Sequence, residues 1–227
     1  MKKSFLILMT LFLTVSQAQE LKPIPMINVS GEGKIKTVPD QAAISVSVET
    51  KGTNAVTVKK DNDAKMDAVL KYIKKFIAKE DFQTQRVTLN PNYDYQKKKH
   101  EYLANQTVKI LLKDLSKYDE LMEGLVDSGI NGINGVEFKT SKLTQLQSEA
   151  RKLAIKDAKA KADDYVSVLS QKVGKVFTIT DNSQPYYPQP MYRSMKAEMA
   201  DGTMQRETLA VGELEIIINV AVSFVLE

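Results

Sequence analysis

Between Thr144 and Gly174 an apolar stripe returns at helical spacing, and its middle is alanine: Ala150, Ala154, Ala158 and Ala162. No other feature constrains the fold as much. Residues four apart on a helix stand over one another on one face. A face of methyl groups lets a second element approach much closer than leucines would. The stripe as a whole runs Leu146, Ala150, Leu153, Ala154, Ala158, Ala162, Tyr165, Val166 and Leu169. Thr144 and Gln147 have capping-box spacing, and Gly174 supplies a stop. About 30 residues at 1.5 Å each make a rod of roughly 45 Å.

The remaining segments alternate between strand and helix periods. Residues 26–36 read as a first strand broken by Gly31 and Gly33. Pro39-Asp40 marks a turn. In 42–51, Ile44, Val46 and Val48 point one way and Ser45, Ser47 and Glu49 the other, the pattern of a half-buried strand. Asn54 then caps an amphipathic helix to about Ala78, with Val58, Asn62, Met66, Val69, Ile73 and Phe76 on its inner face. Residues 86–95 and 101–113 read as two strands joined at 96–100. A second helix opens at Ser116 with Asp119 in a capping-box position, buries Tyr118, Leu121, Met122, Leu125 and Val126, and stops at Gly129 and Gly132. Strands follow at 136–140, 175–180 and 209–226, the last alternating through Ile216, Ile218, Val220, Val222 and Phe224 and bending near Gly212.

This order predicts an α+β fold: a mixed, mostly antiparallel sheet with helices on one face, including the long alanine-rich one, with room for two βαβ-like halves. Subdomains would fall at about 26–113 and 114–227. Residues 181–208 stand apart, with three prolines, three tyrosines and four methionines, and read as a long loop or insertion.

Lys2 and Lys3, an apolar run over 5–15 and Ser16-Gln17-Ala18 have the three parts of a secretory signal cut after Ala18. The run of about eleven residues is well short of the roughly twenty of a spanning helix. The expectation is a 19–227 chain exported to the periplasm or beyond. Removing residues 1–18 takes away two of the 32 basic residues and none of the 28 acids, leaving a net charge of +2. That balance lacks the basic excess of a general nucleic-acid binder. With no cysteine, thiol chemistry, cysteine metal sites and disulfides are excluded, and stability rests on an apolar core.

Several stretches together resemble the SIMPL-domain family. They are Val29-Ser30-Gly31-Glu32-Gly33 with Val38-Pro39-Asp40 and an alternating strand; 108–115 leading into a helix, then 129–138; the alanine-rich helix followed by Val173-Gly174-Lys175-Val176; and Gly212 before a last strand ending Val222-Ser223-Phe224. In this order they cover nearly all of 19–227. The resemblance implies an α/β fold, an envelope location and self-assembly, so a homo-oligomer is expected. An envelope protein is a further expected partner. Some family members are linked to oxidative-stress defence. It brings no catalytic residue and no cofactor.

The chemical candidates are few. Gly31-Glu32-Gly33 lacks the lysine and following helix of a phosphate loop, and reads as a bulge or a close backbone approach. His100, the only histidine, sits in a lysine-rich turn with Tyr93, Tyr95 and Tyr102 nearby, and reads as a solvated hairpin tip. Asp163-Asp164 read as part of a polar helix face. In the loop, Met191, Met195 and Met199 recur four apart. A helix would align their thioethers, which suit Cu(I) or oxidant scavenging. The plainer reading is that they and Tyr186, Tyr187 and Tyr192 make adaptable assembly contacts. The function expected is a non-enzymatic structural or interaction protein. A methionine-based oxidant sink or Cu(I) module is the alternative.

Overall fold

Alternating apolar side chains set the strands, which pair into two antiparallel sheets, one backed by two helices and the other by one. The computed structural model describes residues 23–96, 98–183 and 209–227. The three-stranded sheet has the order β1-β7-β6, from β1 (Met26–Thr37), β7 (Leu214–Leu226) and β6 (Val173–Asp181). The four-stranded sheet has the order β3-β4-β2-β5, from β2 (Gln41–Gly52), β3 (Phe82–Asp94), β4 (Lys99–Leu112) and β5 (Gly132–Lys139). The α+β class is as expected, and the strands divide between two sheets rather than sharing one.

Two helices cover one face of the four-stranded sheet: α1 (Ala55–Phe76) and α2 (Tyr118–Asp127). Asn54 caps α1 as its sequence predicts, its Oδ1 accepting from the Thr57 amide at 3.0 Å. Val58, Asn62, Met66, Val69 and Ile73 are buried. Met66, Val69 and Ile73 meet Ile44, Val46 and Val48 of β2, Val108 and Ile110 of β4, and Leu121 and Leu125 of α2. Asn62 is the polar member of this core. Its amide donates to the Val48 carbonyl at 2.9 Å and to Thr50 Oγ1 at 3.1 Å, tying α1 to β2. α2 departs from its expected start. A 3-10 turn, Leu115–Lys117, precedes it, and the capping acid is Asp114, which accepts from the Ser116 amide at 3.1 Å. Val126 is half exposed.

α3 (Leu143–Val166) backs the three-stranded sheet. Its Ala150, Ala154, Ala158 and Ala162 are fully buried against Val29, Ile216, Ile218, Val220 and Val222. The close approach reaches its limit at Gly31 and Gly33. A Cβ at Gly31 would stand 2.0 Å from the Ala154 carbonyl oxygen, and one at Gly33 1.9 Å from that of Ala150. Side chains of α3 also hold β1. Asp157 Oδ2 accepts from the Glu32 amide at 2.8 Å, and Lys161 Nζ donates to the Ser30 carbonyl at 3.1 Å. Gly31-Glu32-Gly33 is therefore a docking seat for a helix.

Two expectations for α3 are corrected. Thr144 does not cap it: the N-cap is Lys142, whose side chain plays no part, and Leu143 already lies in the helix. The helix stops at Val166, well short of Gly174, where the Ser167 hydroxyl bonds the Asp164 carbonyl at 2.6 Å and Ser170 turns to φ 51°.

The chain crosses between the sheets at 38–40 and again at 140–142, and Asp40 fastens the crossings together. Its amide donates to the Lys139 carbonyl at 3.1 Å. Its carboxylate accepts from the Ser141 amide at 2.7 Å and hydroxyl at 2.6 Å. Desolvation pushes the Asp40 carboxyl up, but the Ser141 bonds, its own backbone and Lys142 outweigh this and hold it below the usual carboxylate value.

Candidate functional site

The residues singled out in the sequence divide into three groups. The segment with Met191, Met195, Met199, Tyr186, Tyr187 and Tyr192 lies outside the described residues, as do residues 1–18. His100 lies at the tip of the β3–β4 hairpin, exposed, its ring 4.8 Å from Tyr93, which meets Tyr95 edge-on at 4.9 Å. Asp163 is ion-paired to Lys159 at 2.5 Å on the outer face of α3. Among the described residues no three His, Asp or Glu side chains gather as metal ligands.

Two surfaces stand out instead. The first is β6. It forms one edge of its sheet and buries none of its side chains. Val176 stands opposite Phe224 and Ile179 opposite Val222, on the helix side of the sheet. Yet α3 lies over β1 and β7, so Val176 is 48% exposed, Phe177 52% and Ile179 56%. Leu153, Tyr165 and Leu169, expected in the buried stripe of α3, are also exposed. Opposite Gly31 and Gly33 the contact falls to Ala150, Ala154 and Ala158, because the glycines bring the backbones too close for larger groups, while Leu143, Leu146 and Ile155 pack around it. The far edge, β1, differs: Asp157 and Lys161 already occupy backbone groups of Glu32 and Ser30.

The second surface is the helix-free face of the four-stranded sheet. Ser45 and Glu49 of β2, Asn105 and Thr107 of β4 and Arg86 and Thr88 of β3 line a polar hollow of about 810 Å³. Two bulges border it. On β3, Thr84 pairs with Val108 and Arg86 with Thr107, leaving Gln85 as an extra residue. On β5, Gly135 pairs with Ser45 and Ile133 with Val46, leaving Asn134 extra. Gln85 and Asn134 both line the hollow. A bulge adds local twist and re-aims a side chain, so the two outer strands each send an amide toward the middle of the face. At the β5 end, Asn131 accepts from the Glu49 amide at 2.7 Å and donates to its carbonyl at 2.8 Å, which extends the sheet edge.

Charges on this face are unevenly matched. Glu49 is paired with Lys51 at 3.2 Å and Glu137 with Lys139 at 3.4 Å. The Arg86 side chain has no ion pair or hydrogen bond among the described residues. Lys109, on the same face of β4, lines an adjoining hollow of about 220 Å³ with Ser45 and Gln85, and also lacks an ion partner there. The polar side of β2 was legible as Ser45, Ser47 and Glu49. The matching series on β4, Leu103, Asn105, Thr107 and Lys109, carries the same alternating signal.

The fold defines an α+β protein of two helix-backed antiparallel sheets joined by paired crossings. The model of the SIMPL family, described as a protein of unknown function (DUF541), matches residues 27–224, and the chain belongs to that family. The match spans both sheets. The chain is 32% identical over 216 residues to the uncharacterized protein YggE of Escherichia coli (strain K12), covering 93% of this chain and 87% of that one. It is 24% identical over 217 residues to the uncharacterized protein YggE of Edwardsiella ictaluri, covering 90% and 91%. It is 26% identical over 211 residues to the 26 kDa periplasmic immunogenic protein of Brucella melitensis biotype 1, covering 87% and 83%.

Proposed function

We propose that this chain is a periplasmic, non-enzymatic interaction protein that self-associates through β6 and serves envelope protection under oxidative stress. The observation that carries the self-association is the unburied β6 edge with Val176, Phe177 and Ile179 half exposed. Unpaired strand edges are templates for pairing with another chain, and proteins that stay apart blunt them with charge, proline or a covering element. β1 is engaged in this way by Asp157 and Lys161, and among the described residues no side chain holds the β6 edge in the same way. A second copy meeting β6 about a two-fold axis would give a continuous six-stranded sheet, each partner presenting the same residues.

The secretory pattern of residues 1–18 and the relative named as periplasmic support the location. Among the described residues no helix is long and apolar enough to cross a membrane. The stress role rests on the family resemblance alone. The test is the native mass of residues 19–227 by light scattering after size exclusion. The parent is expected to be an oligomer, and the double variant Phe177→Lys, Ile179→Lys a folded monomer. An unchanged mass in the variant would remove β6 from the interface.

A further inference from the structure

We propose that the helix-free face of the four-stranded sheet binds an acidic glycan, a polyhydroxylated chain bearing carboxylate or phosphate groups, with Arg86 as its anion anchor. A hollow of about 810 Å³ lies within the usual range of ligand sites, roughly 300–1,000 Å³. This one is built of hydroxyls and amides, with Leu103 its only large aliphatic. An amide offers a donor and an acceptor side by side, which matches adjacent hydroxyls on a sugar ring. Gln85 and Asn134 are each the extra residue of a bulge; Asn134 Oδ1 accepts from the Ser47 hydroxyl at 3.4 Å, which orients its amide so that the NH2 is the group left to donate.

Charge then selects the ligand further. Glu49 is the only acid lining the larger hollow, and Lys51 engages it. Arg86 there has no partner among the described residues. A guanidinium presents a planar fork suited to two oxygens of a carboxylate or phosphate. Lys109 adds a second positive group. Arg86 pairs with Thr107, and Lys109 follows two residues along β4, so the two occupy diagonal positions on the sheet. Such positions are about 7–8 Å apart at the backbone, close enough for both side chains to meet one anionic sugar. Glu80 lines the hollow beyond Lys109 and offsets part of that charge, and Asp81 beside it is held by Lys113 at 2.6 Å. Arg86 is therefore the stronger anchor.

A peptide fits less well. Peptide recognition needs pockets for alternate side chains, and the larger hollow has Leu103 as its one large aliphatic among the described residues, the apolar Phe82 and Leu111 lying in the separate hollow beyond Lys109.

The experiment is calorimetric titration of residues 19–227 with four probes: tetragalacturonate, a mannose-6-phosphate-bearing pentasaccharide, neutral maltotetraose and tetraglutamate. One or both acidic sugars are expected to bind, the successful arm telling carboxylate from phosphate. Arg86→Gln should weaken that binding about tenfold or more, and Arg86→Lys less. Lys60→Gln on α1, remote from the face, should leave it unchanged. Arg86 is exposed, so both variants are expected to melt like the parent. Failure of both acidic sugars to bind would overturn the proposal, as would equal binding by Arg86→Gln. Tetraglutamate binding as tightly as the sugars would reassign the face to acidic peptides.

Discussion

Gly31 and Gly33 show how one missing methylene step fixes a contact between elements. The nearest atom that a Cβ would meet at each is a backbone oxygen of α3, which no rotamer change can move aside. Gly31→Ala should cost about 1–3 kcal/mol, the usual range for overpacking, read as a lower urea midpoint. Because the obstacle at Gly31 is the Ala154 carbonyl, trimming that residue with Ala154→Gly should not restore stability. A rescued double variant would show that the helix rests on side chains and not on its backbone.

Asp40 works at the same scale through charge. Its folded pKa lies below the ordinary value, so its ionised form is favoured by folding. The stabilisation is full at neutral pH and is lost as pH falls below about 4 through the folded value. Asp40→Asn should therefore cost about 1 kcal/mol at pH 7, with the gap closing in acid. A gap that stays constant down to pH 2 would mean that the charge plays no part in joining the crossings.

Among the elements, α1 is the most self-explanatory. Its cap, its inner face and even its buried Asn62 follow from spacing, because a helix against a flat sheet face keeps the period of an isolated amphipathic helix. Asn62→Ala should lower stability by about 1–3 kcal/mol, since the Val48 carbonyl and Thr50 hydroxyl lose a buried donor. A neutral Asn62→Ala in chemical denaturation would mean that water replaces the amide. α3 was harder to read. Its alanines announced a close contact, but Leu153, Tyr165 and Leu169 fit the same stripe and stay outside. The deciding fact is the pair of glycines more than a hundred residues away in sequence, and local spacing carries no trace of it. The polar trough was half legible for a similar reason. Alternation along β2 gives its hydroxyls, whereas the bulges at Gln85 and Asn134 arise only from pairing register.

At the scale of the molecule, the sheets are not successive stretches of chain. β1 joins β7 near the other end of the sequence, and β5 joins β2 across two helices and two strands. Strand order of this kind depends on long-range pairing, which is why a reading by local pattern yielded the α+β class and the elements but a single sheet. The consequence for function is a division of labour between surfaces. One sheet leaves an apolar edge at β6, and the other leaves a polar, partly cationic face. Assembly through β6 would keep the trough clear, since the two belong to different sheets, and a polymer of sugars could then engage several subunits at once. Avidity of that kind would make binding to a long acidic glycan tighter than to a tetrasaccharide.

If copies of this chain meet through β6, amide hydrogen exchange followed by mass spectrometry reads that strand directly. Exchange of peptides from Val173–Asp181 should slow markedly as protein concentration rises through the assembly range, while peptides from Met26–Thr37 keep their rate. Equal exchange of β6 in the monomeric and assembled states would contradict the claim, and slowing confined to another strand would name the interface that replaces it.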